Sequence, residues 1–358
     1  MTSRAFTLTV SGVLLALLVS VAFLVPVPYV TESPGLTADT LGNDISAEGQ
    51  ATDTPVITIE GEAETYPTSG ELRLTTVSVT NPDARVTLLQ AFGAWFDDEA
   101  ALLPRDVVYP PGETPEEARE QTAIDMTGSQ DTSEVAAARA AGFEVDVTTE
   151  VAEVVADGPS DGVLEVRDQL VAVNGEDVAG SSDVVDRVRA AEPGDTIELT
   201  IRRDGEERRV DVVAGETDGR TSVGVSVTDS FDLPFEVDFN LERNIGGPSA
   251  GAVFALAIYD KLTPGELTGG EVVAGTGAID YDGTIGAIGG IQQKIVSARD
   301  DGAIIFLAPT VNCDEARAAA VEEGDILVVS VGTLEEAIDA LEQLADDPEA
   351  DVPTCGAP

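Results

Sequence analysis

The chain has no histidine, two cysteines and two lysines among 358 residues, and aromatic residues make up only 4% of it. Without histidine there is no Ser-His-Asp or Cys-His catalysis, no histidine-ligated zinc and no imidazole base working near neutral pH. Positive charge is scarce as well: 19 Lys and Arg stand against 67 Asp and Glu, a formal net charge of −48. Such a surface repels phosphate backbones, which are normally met by clustered Lys and Arg, and this excludes nucleic acid as a partner. No metal site and no cofactor is expected, and among the 67 acids no pair stands out by spacing as an acid–base couple. The acidity reads as an adaptation for solubility, in a salty medium that screens self-repulsion. Apolar content is 43%, ordinary for packed cores, and at roughly 150 residues per domain the length allows two or three domains.

Lys261 and Lys294 are the two lysines; the other seventeen basic residues are arginine. A guanidinium stays charged in proteins, whereas a buried lysine can be neutral. A lysine kept in this chain therefore marks a position where losing a proton is useful, or else a chance survivor; both readings stand on composition alone.

From Ala5 to Thr31 there is no charged residue, and Leu14 to Val25 is dense in Leu, Val, Ala and Phe. About 20 apolar residues suffice to span a bilayer, so a transmembrane helix is expected over 5–29 behind a cytoplasmic tip of 1–4. Arg4 precedes the run while Glu32 and Asp39 follow it, so the positive-inside rule puts the N-terminus in the cytoplasm and the body of the chain outside. The expected placement is a single-pass cell-membrane protein. A cleaved signal is the alternative, although Pro26-Val27-Pro28-Tyr29 is no small-residue cleavage site. Export agrees with the cysteines. Cys313 and Cys355 are either two separate thiols or a disulfide closing about 40 residues, worth about 4 kcal/mol by loop entropy.

Residues 30–140 read as a linker and N-terminal β/α segment, with a polar juxtamembrane linker at 32–55, a strand at 70–79 and a helix at 116–141 stopped by Gly142. Residues 141–217 form a compact, mostly β unit with strands at 151–156, 169–174 and 196–203. Its helix is expected over 182–191, capped by Ser181 or Ser182. The run Gly158-Pro159-Ser160-Asp161-Gly162-Val163-Leu164, followed by Asp168-Gln169-Leu170-Val171-Ala172-Val173-Asn174-Gly175, resembles the core of a PDZ domain, with Arg167 in place of the usual glycine. PDZ domains bind a peptide by adding a strand to a sheet edge and holding its terminal carboxylate on backbone N–H groups. The resemblance places that carboxylate loop at Gly142, Phe143, Glu144 and Val145. A β-rich spacer without a ligand is the other reading.

The most informative segment is Asn244-Ile245-Gly246-Gly247-Pro248-Ser249-Ala250-Gly251, leading into the apolar stretch Ala252 to Tyr259. Ser249 falls near a helix N-terminus, where free N–H groups and the helix dipole stabilise negative charge. That suits an acyl-transfer oxyanion, and Gly247, Pro248 and Ala250 are its candidate frame. It equally suits a simple helix cap. A serine nucleophile here needs a lysine, a carboxylate or a terminal amine as base. Lys261 lies twelve residues further along the same expected helix, about 18 Å away and out of reach. Lys294 follows the glycine-rich segment 283–290 and opens a new helix that the fold can bring back to Ser249.

Gly247-Pro248-Ser249-Ala250-Gly251, Gly275-Thr276-Gly277 and Ile288-Gly289-Gly290-Ile291 with Lys294 together resemble the proteolytic domain of the Lon-type serine proteases, over about one third of the chain. The resemblance implies Ser249 as nucleophile, Lys294 as general base and Thr276 as the hydroxyl that orients the lysine. Pro309 and Asn312 match the family's strand-to-loop segment, whereas Ala278 stands where many members carry an acid. Neither lysine lies in the G-x-x-x-x-G-K-S/T loop an ATPase module needs.

The expected fold is α+β: an N-terminal transmembrane helix, a β-rich PDZ-like domain at 141–217, a Lon-type protease domain of mixed α/β, ribosomal S5 domain 2-like architecture at 222–345, and a tail at 346–358. Within the protease domain, strands are expected at 304–308 and 326–331 and helices at 313–322 and 334–344. The expected function is an ATP-independent, membrane-anchored, extracytoplasmic serine endopeptidase acting on polypeptides. The alternative is a non-enzymatic, membrane-tethered PDZ scaffold. Ring assembly in the family implies a homo-oligomer by analogy.

Overall fold

The structure, a computed structural model, describes residues 3–45, 51–110, 112, 114–217, 219–241, 245–319 and 324–356. Residues 1–2 of the expected tip, Asn244, residues 320–322 of the helix after Cys313, and residues 357–358 of the tail lie outside the described residues. The chain divides into two compact units, one made of residues 1–141 with 235–358 and the other of residues 142–234.

The first unit begins with helix α1 (Ser3–Leu24), strands β1 (Tyr29–Asp39), β2 (Ile57–Gly61) and β3 (Glu71–Val79), helix α2 (Leu88–Trp95), strand β4 (Ala101–Pro104) and helix α3 (Pro115–Ala140). Among the described residues no helix is long and apolar enough to cross a membrane. This corrects the transmembrane helix expected over 5–29, and with it the single-pass placement with a cytoplasmic N-terminus. Residues 3–24 do form a helix, but Thr9, Ser11 and Ser20 interrupt its apolar run, whereas a bilayer core asks for about 20 consecutive, predominantly apolar residues. Past α1 the chain is tied to the unit at once: the Val27 N–H donates to Val86 O and the Leu88 N–H to Val25 O. The linker expected at 32–55 is also corrected. Most of β1 falls in it, and Val30 and Glu32, two residues apart, are both buried.

The second unit consists of β5 (Val147–Val154), β6 (Gln169–Val173), helix α4 (Ser181–Arg189), β7 (Thr196–Arg203), β8 (Glu206–Val213) and β9 (Val225–Phe231). Its sheet is ordered β8-β7-β6-β5-β9 with antiparallel neighbours. Val151, Leu170, Ile197, Leu199, Ile201 and Val212 point inward and meet Val184 and Val188 of α4. Alternation on strands and i, i+4 spacing on the helix supply that face. Arg167, in place of the usual glycine, takes the left-handed φ of +76° that favours glycine. Neither Ser181 nor Ser182 caps α4. The N-cap is Gly180, and the Ser181 hydroxyl donates instead to Asp229 at 2.6 Å.

The chain then returns to the first unit with β10 (Phe235–Phe239), α5 (Gly251–Leu262), β11 (Val272–Gly275), α6 (Ile291–Asp300), β12 (Ile305–Pro309), β13 (Leu327–Val331) and α7 (Leu334–Asp346). β10 pairs with β2 across the inserted unit. The main sheet is ordered β13-β12-β11-β3-β1-β4, parallel from β13 to β3 and antiparallel beyond. Every residue of β12 is buried, as in parallel strands covered on both faces. α5 is apolar nearly all round because it too is covered, packing on α3 and β3. The helix expected at 313–322 is helical only over Cys313–Ala316 among the described residues.

Cys313 and Cys355 form a disulfide that ties the C-terminal tail beside β12 and β13. Replacing both with serine is expected to lower the unfolding free energy by about 4 kcal/mol, read by urea titration with and without reductant. An unchanged midpoint would show that the tail is held by its other contacts.

Candidate active site

Gly247 has φ +86°, a backbone conformation that a side chain at this position would strain. It turns the chain so that Pro248, Ser249 and Ala250 form one 3-10 turn leading straight into α5. Helix α3 grips this turn from outside. The Ser129 hydroxyl donates to Pro248 O at 3.0 Å, and the Gly247 N–H donates to Thr122 O at 3.0 Å. From the other side comes the end of β11, where the Gly277 N–H donates to Ser249 O at 2.8 Å and the Thr276 hydroxyl donates to the same oxygen at 3.0 Å.

Lys294 reaches this point from the first turn of α6. Its Nζ donates to Ser249 Oγ at 2.9 Å and to Thr276 Oγ1 at 2.9 Å, and its side chain is 2% exposed. Burial drives its pKa from 10.5 down to about 8, opposed by the charge of Glu32. Ile291 and Ile295 of the same helix are fully buried, and Ile288 packs beside them. Asn312 pins the loop before α6, accepting from Ile288 N–H at 3.0 Å and donating to Ile288 O at 2.9 Å. Thr75 fastens β3 to β11 by donating to Gly275 O. Ser249 and Lys294 open into a cavity of about 470 Å³ whose apolar walls include Leu36, Val77, Met126 and Ile245.

Gly247, Pro248 and Ala250 all surround Ser249, but they do not form one set of donors. Proline has no N–H, and that of Gly247 is spent on Thr122. Lys261 ends α5 away from this cavity. Sequence reasoning missed Glu32, Ser129 and Thr75. For Glu32 a signal existed: an acid two residues from an inward valine on a strand shares its face.

In the second unit, Gly142, Phe143, Glu144 and Val145 precede β5, which is paired on both sides, by β6 and by β9. The strand after this loop therefore has no free edge to accept a peptide. The edge strands of this sheet are β8 and β9, and between β9 and α4 lies a cavity of about 470 Å³ lined by Val184, Val188, Val225 and Val227, with Arg189 and Arg220 beside them.

Two family models match the chain: the PDZ domain over residues 125–213 and the Lon protease C-terminal proteolytic domain over residues 244–341. A probable periplasmic serine endoprotease, DegP-like, of Ectopseudomonas mendocina (strain ymp) is 36% identical over 66 residues; the match covers 18% of this chain and 14% of that protein's length. Among solved structures, the PDZ domain of an SdrC-like protein from Listeria monocytogenes matches at 20% identity and TM-score 0.21. It covers 22% of this chain and 85% of that one. A solution structure from Geobacillus thermodenitrificans matches at 26% identity and TM-score 0.20, covering 22% of this chain and 92% of that one. Over these two stretches the chain is similar to a PDZ domain and to a Lon-type proteolytic domain, and it spans about one seventh of the length of the curated serine endoprotease it matches.

Proposed function

We propose that this chain is an ATP-independent serine endopeptidase in which Ser249 is the nucleophile and Lys294 the general base. The observation that carries the reading is a buried lysine amine 2.9 Å from the serine hydroxyl in an open cavity. Thr276 supplies direction. Its own proton goes to Ser249 O, so a lone pair faces Nζ and the amine must donate there. Once neutral, the amine has its lone pair left for the Ser249 proton.

Ser249 Oγ attacks the scissile carbonyl carbon while its proton passes to Lys294 Nζ. The oxyanion faces the N–H groups of Ser249 and Ala250 at the head of α5, where the dipole adds to their effect. As the C–N bond breaks, Lys294 returns the proton to the leaving amine. Lys294 then takes a proton from water, whose oxygen attacks the ester carbon, and returns that proton to Ser249 Oγ as the ester C–O bond breaks, restoring the hydroxyl and the neutral amine. Neither lysine lies in a phosphate-cradling loop, which supports hydrolysis without ATP. The disulfide supports an oxidising, extracytoplasmic compartment. The groove between α4 and β9 suits capture of an extended segment of the substrate.

The test is covalent capture with a fluorophosphonate probe, followed by peptide mapping and a casein digest. Wild type is expected to carry the adduct on Ser249 and to cleave casein, and Ser249→Ala to do neither. Peptide capture without adduct or turnover in the wild type would instead establish a binding scaffold.

A further inference from the structure

Glu32 belongs to β1, an inner strand of the main sheet, where it pairs with Val79 of β3 and Ala101 of β4. It is 92% buried, at 8% exposure, in a place where a valine would be ordinary. Its carboxylate lies against the start of α6. Glu32 Oε1 sits 2.5 Å from where a Cβ on Gly290 would stand, so position 290 has room for the acid only because it is glycine. Gly290 is the N-cap of α6, with φ +66°, and its carbonyl accepts the Lys294 N–H at 3.0 Å. The carboxyl group of Glu32 thus lies beside the N-cap of the helix that carries the lysine.

We infer that Glu32 is a positioning residue acting through Lys294: a buried counter-charge that sets how firmly the amine keeps its proton, and so the pH at which the base is available. This inference rests on Lys294 being the base. The charged groups facing Glu32 are Lys294 from α6 and Glu315 from the short helix at 313–316; Glu32 is the charged group facing Lys294. Burial pushes the Glu32 carboxyl up, Lys294 draws it back and Glu315 pushes it up again. Burial and Glu32 act on Lys294 in opposite senses, burial stripping the proton and Glu32 retaining it. The Arg299, Asp300 and Asp301 charges at the far end of α6 are engaged elsewhere, with Glu99, with each other and with Thr37.

The two-lysine composition makes the test direct. With ¹³C-labelled lysine in the Ser249→Ala chain, only Lys261 and Lys294 report. Glu32→Gln is expected to lower the Lys294 midpoint by about one pH unit while Lys261 stays in place. In the active chain the rising limb of kcat/KM moves to lower pH by the same amount, about a fivefold gain at pH 7. Glu32→Asp keeps the charge and should leave the midpoint near wild type, which covers the case in which Gln disturbs folding. An unmoved Lys294 midpoint, or both lysines moving together, overturns the inference. Casein cleavage persisting in Ser249→Ala would overturn the nucleophile assignment instead, and leaves the coupling of Glu32 to Lys294 standing.

Discussion

Lys294→Met is expected to lower kcat/KM by about 10⁴-fold while making the folded protein more stable. The loss follows from geometry: Nζ is the one basic group hydrogen-bonded to Ser249 Oγ among the described residues, and methionine keeps the volume of the side chain without its lone pair. The gain follows from linkage. Holding the Lys294 pKa at about 8 against 10.5 costs about 3 kcal/mol wherever both folded and unfolded chains would prefer the charged amine, below about pH 8. A thioether has no charge to desolvate. Thr276 keeps its bond to Ser249 O, so the change leaves no buried donor stranded. Steady-state kinetics on a peptide and urea titration at pH 7 read both effects. An inactive variant that is also less stable would mean that the lysine is structural, and an active one that another group takes the proton.

How far such a site can be read from sequence depends on whether the information is local. The Gly-Pro-Ser turn is a local feature, and a chain with no histidine and two lysines leaves few bases to consider; the resemblance to the Lon-type proteolytic domain then implies Ser249 and Lys294 as the pair, which lie 2.9 Å apart. For Glu32 the spacing from Val30 signals a buried face but not the partner, which is 262 positions away; only β1 docking beside α6 makes it a neighbour of the amine. The peptide groove is hard to place from sequence for a related reason. Residues 142–145 precede a strand, as a carboxylate loop should, but which strands lie at an edge depends on the order of the whole sheet, and β9 pairs along the outer side of β5. The anchor reading over 5–29 counted the absence of charge and gave too little weight to the hydroxyl residues that interrupt the run. The unit containing Ser249 also draws on residues far from it in sequence. Strands β1, β3 and β4 come from before the inserted unit, and without them the main sheet would have only three strands.

The pH profile carries the second large effect. A base must be neutral to accept a proton, so kcat/KM is expected to rise with pH, gain about tenfold per unit below a midpoint of about 8, and level off above it. Activity at pH 6 should be about 100-fold below the plateau. Two buried acids titrate in the same range and must be told apart from the lysine. Burial raises Glu134 of α3 to about 7 and Asp260 of α5 to about 6, and neither touches Ser249. Their signature in stability has the opposite sign. An acid with a raised pKa binds its proton more firmly when folded, so its contribution falls as pH rises from about 4 to about 7. A lysine with a lowered pKa is protonated first in the unfolded chain, so its contribution grows as pH rises from about 8 to about 10.5. Urea titrations across pH should therefore show a rising segment above pH 8 that shrinks in Lys294→Met, leaving the part due to Lys261, whose burial also lowers its pKa, and that survives whole in Glu134→Gln. The kinetic limb should follow the same division, since Glu134→Gln removes a titration and leaves the amine beside Ser249 untouched. A limb that moves with Glu134 and ignores Glu32 would place the controlling proton on α3 and away from Lys294.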